Sequence, residues 1–267
     1  MHTALDNAWQ GVNNMICNQL QLNNRSVLIP QTKTIKKLTT FVPKEAAENI
    51  RNALFKAGAG NIGNYSNCSF NTEGIGTYKG NENTNPTIGE KGEIHQEAET
   101  QVSVIFAKHT QAQIIKALFK THPYEEVAYE IVTLENNNQH IGMGMLGELE
   151  NAMAETEFLK YLKTKMQASV IRHSNLLDKS IKKVAVLGGS GSFAIQAAKA
   201  SGADVLVTSD LKYHDFFLAE NSIILADIGH YESEQYTKNG LVAHLTKKIT
   251  NFAVVLSKTN TNPVQYF

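Results

Sequence analysis

The chain has no cysteine framework, no excess of either charge and no apolar run of membrane length. Its 267 residues hold two cysteines, Cys17 and Cys68, far apart and in unlike contexts. That excludes a disulfide scaffold and fits two unpaired thiols in a reducing compartment. Lysine plus arginine and aspartate plus glutamate both number 25, so the formal net charge is zero. Without a basic field there is no electrostatic case for nucleic acid, and without an acidic one the chain is no solvating tail. No apolar stretch is long enough to span a bilayer. The opening Met-His-Thr-Ala-Leu-Asp does not read as a signal peptide. The expectation is a cytoplasmic protein. With 42% hydrophobic residues, the length suffices for one large domain or two ordinary ones with cores of their own.

Apolar periodicity divides the chain into three stretches. Residues 6–22 carry Trp9, Val12, Ile16 and Leu20 at helical spacing, so one helix is expected within the first 35 residues. Residues 36–145 follow their own order. A strand over 37–42 precedes a helix over 44–57, which glycines at 58–63 stop. A second strand with an irregularity covers 65–70 and 74–78. After a loop over 81–92 come a strand over 101–107, a helix over 111–120 and a last strand over 127–134. That order, βαββαβ, is the ferredoxin-like pattern. Residues 146–267 alternate helix and strand: helix 155–166, a short strand near 169–172, strand 183–187, helix 193–200, strand 204–208, helix 213–219, strand 223–226, helix 234–246 and a final strand at 252–257. Such alternation predicts a mostly parallel α/β layer.

The chemistry-bearing residues cluster at the expected strand ends. His230 and Glu234, in Ile-Gly-His-Tyr-Glu-Ser-Glu-Gln, lie one helical turn apart after an apolar strand, with Glu232 beside them. The pair is either two surface charges on a capped helix or the two-donor arm of a metal site. Asp210 and His214 repeat the four-residue spacing after the preceding strand, and Asp210 reads equally well as a helix cap. His2 and Asp6 repeat it again at the other end. Carboxylate plus imidazole suits hard divalent cations, and sites for two metals are often assembled from distant segments. Gly188, Gly189, Ser190, Gly191 and Ser192 form a small-residue turn between strand and helix. It is either a packing turn or a cradle whose N–H groups hold an anion. No Gly-Lys-Ser/Thr follows, and Ala194 stands at the third glycine position of a dinucleotide fingerprint. The run His122-Pro123-Tyr124-Glu125-Glu126 reads as a helix stop followed by a solvated strand entrance.

Several longer runs carry a family likeness: Thr-Phe-Val-Pro at 40–43, Ala-Gly-Ala-Gly-Asn-Ile-Gly-Asn-Tyr-Ser-Asn-Cys-Ser-Phe at 57–70, His-Pro-Tyr-Glu-Glu-Val-Ala-Tyr-Glu at 122–130, Gly-Gly-Ser-Gly-Ser at 188–192, Asp-Leu-Lys-Tyr-His-Asp at 210–215 and Gly-His-Tyr-Glu-Ser-Glu at 229–234. In these runs the chain resembles the type 2 GTP cyclohydrolase I homologues, or Nif-three-like dinuclear metal-centre proteins. The resemblance implies a two-lobed α/β fold with an inserted ferredoxin-like domain, assembled as a homohexamer. It implies two divalent metal ions per chain, with zinc, manganese, iron and magnesium not distinguished, and ligands at Asp6, His230 and Glu234. The substrate pocket falls to Gly188–Ser192, Asp210 and His214, for a small molecule that is nucleotide-like or phosphorylated. The family's paired histidines are missing, since no two histidines are adjacent here. The expectation is therefore a fragment: 1–35 as a remnant of the N-terminal metal-binding lobe, 36–145 as the insert and 146–267 as the C-terminal lobe. Two functional readings follow, a dinuclear-metal hydrolase impaired by truncation and a non-catalytic metal-binding assembly or regulatory protein.

Overall fold

A computed structural model describes residues 2–267. In chain order the elements are α1 (His2–Asp6), α2 (Val12–Gln19), β1 (Asn23–Pro30), β2 (Ile35–Pro43), α3 (Ala47–Lys56), β3 (Phe70–Lys79), β4 (Ile94–Ala107), α4 (Gln111–Thr121), β5 (Tyr129–Leu134), β6 (Gly142–Ala154), α5 (Glu155–Lys165), β7 (Arg172–His173), β8 (Ser180–Ser190), α6 (Ile195–Ala200), β9 (Val205–Ser209), β10 (Ile224–Asp227), α7 (His230–Glu234) and α8 (Thr237–Lys248). The fold is mixed α/β with two sheets, in two compact units: Met1–Gln31 with Gln139–Phe267, and Thr32–Asn138.

The first unit is built on a six-stranded sheet in the order β1-β6-β8-β9-β10-β7. Its centre, β8-β9-β10, is parallel, and β1, β6 and β7 join antiparallel. The central strands are apolar at consecutive positions because both faces are covered. Val184 and Val186 face one core with Ile16 of α2, Leu20 directly after it, and Phe158 and Leu162 of α5. Ala185 and Leu187 face the other, with Ile195 and Ala198 of α6. Burying a side chain such as Phe158, at 1% exposure, contributes about 1.5–3 kcal/mol.

The second unit runs β2-α3-β3-β4-α4-β5, and its antiparallel sheet has the order β3-β4-β2-β5. Leu38, Val42, Val102, Val104 and Phe106 pack under Ile50 and Leu54 of α3 and Ile114 and Leu118 of α4. The unit spans 32–138, against the expected 36–145, because Gly142–Met145 pair with β1 in the first unit.

Several local expectations are corrected. The helix over 6–22 shortens to α2, and α1 ends at Asp6 before it. A Cβ at Gly11 would lie 1.7 Å from the Leu5 carbonyl oxygen, and the chain turns there. Residues 65–69 are not strand, and β3 is one uninterrupted run. The short strand shifts to Arg172–His173. The helix over 234–246 starts later, as α8 from Thr237, and Glu234 instead ends the short α7. The strand at 252–257 does not form: Phe252 and Val255 are 74% and 83% exposed. The outer edge of β10, where such a strand would add, is taken by β7. Strands β1 and β6, absent from the periodicity reading, complete the sheet.

Candidate functional site

The carboxyl ends of β8, β9 and β10 converge in the first unit, where open parallel sheets bind their ligands. Asp210 leaves β9 with a left-handed backbone, φ +57°, a conformation that aspartate tolerates better than most residues. Its Oδ2 accepts from Ser190 Oγ at the end of β8 at 2.5 Å, and lies 2.6 Å from His230 Nδ1 at the start of α7. The far nitrogen of that ring, Nε2, lies 3.5 Å from Glu234 Oε2. A carboxylate thus orients one side of the imidazole and a second flanks the other, with the Nδ1 proton assigned by its acceptor.

Electrostatics follow from this crowding. The hydrogen bond to Asp210 raises the pKa of His230. Burial opposes it, and the charges of Glu234, Asp210 and Asp6 add to it. Burial pushes Asp210 up, but hydrogen bonds from Ser190 and His230 and the charges of His230 and Arg172 outweigh it, so its pKa is lowered. Burial raises that of Asp6, against the pull of His2 and His230. Asp6 therefore lies within the field of the His230 ring.

Two residues that the sequence did not single out hold the site. Asp227 closes β10 at 5% exposure. Its carboxylate accepts from the N–H groups of Leu211 and Gly229 at 3.0 Å each and from Arg172 Nη2 at 2.5 Å. The same Arg172 nitrogen donates to the Leu211 carbonyl. The loops bearing Asp210 and His230 are thereby tied to one strand end. Asn13 donates to the Asp6 carbonyl at 2.9 Å and accepts from the Gly188 N–H at 3.0 Å, linking the end of α1 to the end of β8. A buried carboxylate at a strand exit was the available signal for Asp227; Asn13 had none.

Of the residues expected at the site, the structure brings Ser190, Asp210, His230 and Glu234 together. Gly189 touches it: at φ +74°, a Cβ there would sit 2.8 Å from Glu234 Oε1. The amides of Gly188, Gly189 and Gly191 donate inward, to Asn13 Oδ1, Ser233 Oγ and the Ser209 carbonyl. Those three N–H groups are engaged by the fold. Ser192 opens a short 3-10 turn ahead of α6. His214 is exposed and packs on aromatic rings, edge-on to Tyr213 at 5.2 Å and stacked on Phe217 at 6.3 Å. Asp210, His230 and Glu234 line a cleft of about 930 Å³, whose other wall includes Asn262 and Tyr266 of the C-terminal segment.

This fold recurs in known proteins. The profile of Duf34/NIF3 (NGG1p interacting factor 3) matches residues 1–263. The chain belongs to the Duf34/NIF3 family. It is 41% identical over 274 residues to the Bacillus subtilis protein called GTP cyclohydrolase 1 type 2 homolog, covering 99% of this chain and 72% of the relative. A protein of the same name from Halalkalibacterium halodurans is 37% identical over 99% of this chain and 73% of its own length. The crystal structure of a Bacillus cereus protein related to NIF3 superposes with a TM-score of 0.83 at 36% identity, over 98% of this chain and 71% of that one. A Staphylococcus aureus protein gives 0.72 at 28% identity, over 99% and 71%. Among the described residues, no helix of this chain is long and apolar enough to cross a membrane.

Proposed function

We propose that the first unit is the metal-binding half of a hydrolase site for a nucleotide-like or phosphorylated small molecule. The observation that carries this reading is the His230 imidazole, held at Nδ1 by Asp210 and flanked at Nε2 by Glu234. A carboxylate on the far nitrogen is the usual partner of a metal-ligating histidine, since it fixes the tautomer and raises ligand basicity. The donor set fits one divalent cation as an arm of two, Nε2 of His230 and the carboxylate of Glu234, with Asp6 as the third candidate. Among the described residues, no group of three or more His, Cys, Asp or Glu side chains is arranged to hold a metal ion. A bound cation supplies Lewis-acid polarisation and makes water more acidic.

The chain's own residues supply orientation. Asp210 fixes the ring, Ser190 fixes Asp210, and the Asp227–Arg172 pair fixes the loop that carries Asp210. The cleft of about 930 Å³ is of a size for a nucleotide-like molecule. The names of the relatives support GTP as the first substrate to try. We read the second unit as the ferredoxin-like insert, on its strand and helix order, and self-association into a homohexamer belongs to the same reading.

The test is calorimetric titration of the whole chain with zinc and with manganese, beside GTP consumption in each metal. One saturable site per chain that weakens at least about tenfold in Glu234→Gln supports the reading. No saturable binding, or binding indifferent to that substitution, sinks it. Saturable binding with no turnover of GTP or other nucleotides leaves a metal-binding assembly protein in place of the hydrolase.

A further inference from the structure

The second unit contains a cavity of its own, of about 550 Å³, on the sheet. Strand register opens it. Along β3 and β4, Gly74 stands opposite Glu99 and Gly76 opposite Glu97. Two glycines facing two long side chains leave a trough that larger residues would fill. A Cβ at Gly76 would lie 2.2 Å from Glu99 Oε2, so the Glu99 carboxylate takes the space a side chain there would need. Around Gly74 the space is open, with no atom within 4 Å of where a Cβ would stand.

The loop between β3 and β4 closes the trough. Tyr78 donates to the Ile88 carbonyl at 2.7 Å, Thr87 to the Pro123 carbonyl at 3.0 Å, and the Asn85 N–H to Glu125 at 2.7 Å. The last two bonds tie loop 81–92 to the His122–Glu126 run, of which Tyr124, Glu125 and Glu126 line the cavity.

Within it, Glu99 is 9% exposed. Tyr124 donates to its Oε1 at 2.8 Å, and among the described residues no donor is bonded to Oε2. That oxygen is reached by water rather than sealed in, and as a cavity-lining carboxylate it is open to an incoming charged donor. The surroundings favour a positive one. Glu73, Glu125 and Glu126 also line the cavity, against Lys79 as the one cation among the described lining residues. The rings of Tyr78 and Tyr124 stand 6.3 Å apart, beside Phe41, and present faces that attract a cation. Burial and then the Glu99 carboxylate push the Tyr124 phenol up, so it stays a donor. The aromatic rings and the glycine trough give an organic cation contacts that a bare metal ion could not use.

We propose that this cavity binds a small organic ammonium, with its charged nitrogen on Glu99 Oε2 and its carbon chain along the glycine trough between the tyrosine rings. The volume is within the range of small-molecule sites. The proposal does not depend on the metal reading of the first unit.

The experiment is calorimetric titration of the full chain with putrescine, with succinate of equal chain length as the opposite-charge control and magnesium chloride as competitor. Saturable binding of putrescine and none of succinate is expected, with magnesium displacing it no better than sodium at equal ionic strength. Glu99→Gln should weaken putrescine about tenfold or more, since the charge-assisted bond is lost while Tyr124 keeps an acceptor. Gly74→Val fills the open trough without a clash and should remove binding while circular dichroism and the unfolding midpoint hold. No saturable binding of putrescine by the unaltered chain overturns the proposal. So does equal affinity for succinate, full affinity in Gly74→Val, or displacement by magnesium at low concentration, which would make this a metal site.

Discussion

His230 Nδ1 and Asp210 Oδ2 stand 2.6 Å apart although they come from different strand exits, and Asp210 reaches its place only through a left-handed backbone. A short contact built on a strained residue indicates that the surrounding structure fixes it. If Asp210 orients the ring for a metal, Asp210→Asn should weaken zinc binding by about 10–100-fold. Asparagine suits the left-handed backbone and retains an acceptor, so the fold should survive. A competition titration against a chromophoric chelator reads the affinity. An unchanged value would show that Asp210 does not act through His230.

Gly189→Ala tests the floor of the same site. Its φ of +74° disfavours any side chain, and the added Cβ would press on Glu234 Oε1 at 2.8 Å. A loss of about 1–2 kcal/mol is expected from the backbone alone, read as the denaturant midpoint. Gly202→Ala, also at positive φ but with open space around it, separates backbone strain from contact. Equal losses in the two would show that Glu234 yields freely.

Legibility in the sequence followed the physics of each element. Strands β8, β9 and β10 read clearly because burial on both faces makes them continuously apolar. The βαββαβ order read clearly because its helices and strands are punctuated by Pro43, Gly58 and Pro123. Strand β6 did not, because Gly142, Gly144 and Gly147 dilute its pattern; Gly144 is at φ +69°, and Gly147 makes room for Leu22. At the site, four-residue spacing found His230 and Glu234, which sit on one helical turn. The same rule joined Asp210 to His214 wrongly: Asp210 lies outside the helical turn that begins at Tyr213 and pairs with His230. Contacts such as Asn13 with Gly188 link residues far apart in sequence, and local pattern carries no trace of them.

The second unit should lose stability in mild acid. His122 is buried, with Nε2 3.1 Å from the Phe41 carbonyl and Nδ1 accepting the Tyr124 N–H. Burial lowers its pKa, against the raising effects of the Phe41 carbonyl and Glu99. A depressed folded pKa means that the unfolded chain takes up the proton first. The contribution is fully present above the unfolded imidazole value of about 6.5 and is lost as pH falls through the folded value. Thermal unfolding of the full chain at pH 7.5, 6.0 and 5.0 should show a falling midpoint, flatter in His122→Gln than in the parent. Parallel slopes in the two proteins would assign the acid sensitivity to other groups.

Asn13→Ala tests whether the end of α1 is held where the candidate ligand Asp6 needs it. At 3% exposure, Asn13 uses both ends of its amide, one on the Asp6 carbonyl and one on the Gly188 N–H. Alanine leaves two main-chain groups without partners, and a buried unsatisfied group costs about 1–3 kcal/mol. The expected loss is about 2–3 kcal/mol, discounted because the Asp6 end is part-exposed and open to water. Asn13→Asp keeps the acceptor for Gly188 and loses the donor to Asp6, so it isolates the α1 contact from the β8 contact. Hydrogen exchange adds a local reading: the Gly188 amide should lose protection in Asn13→Ala and keep it in Asn13→Asp. A stability change below about 0.5 kcal/mol, with Gly188 still protected, would mean that α1 is positioned by Leu5 and Trp9 packing on the core and not by this amide.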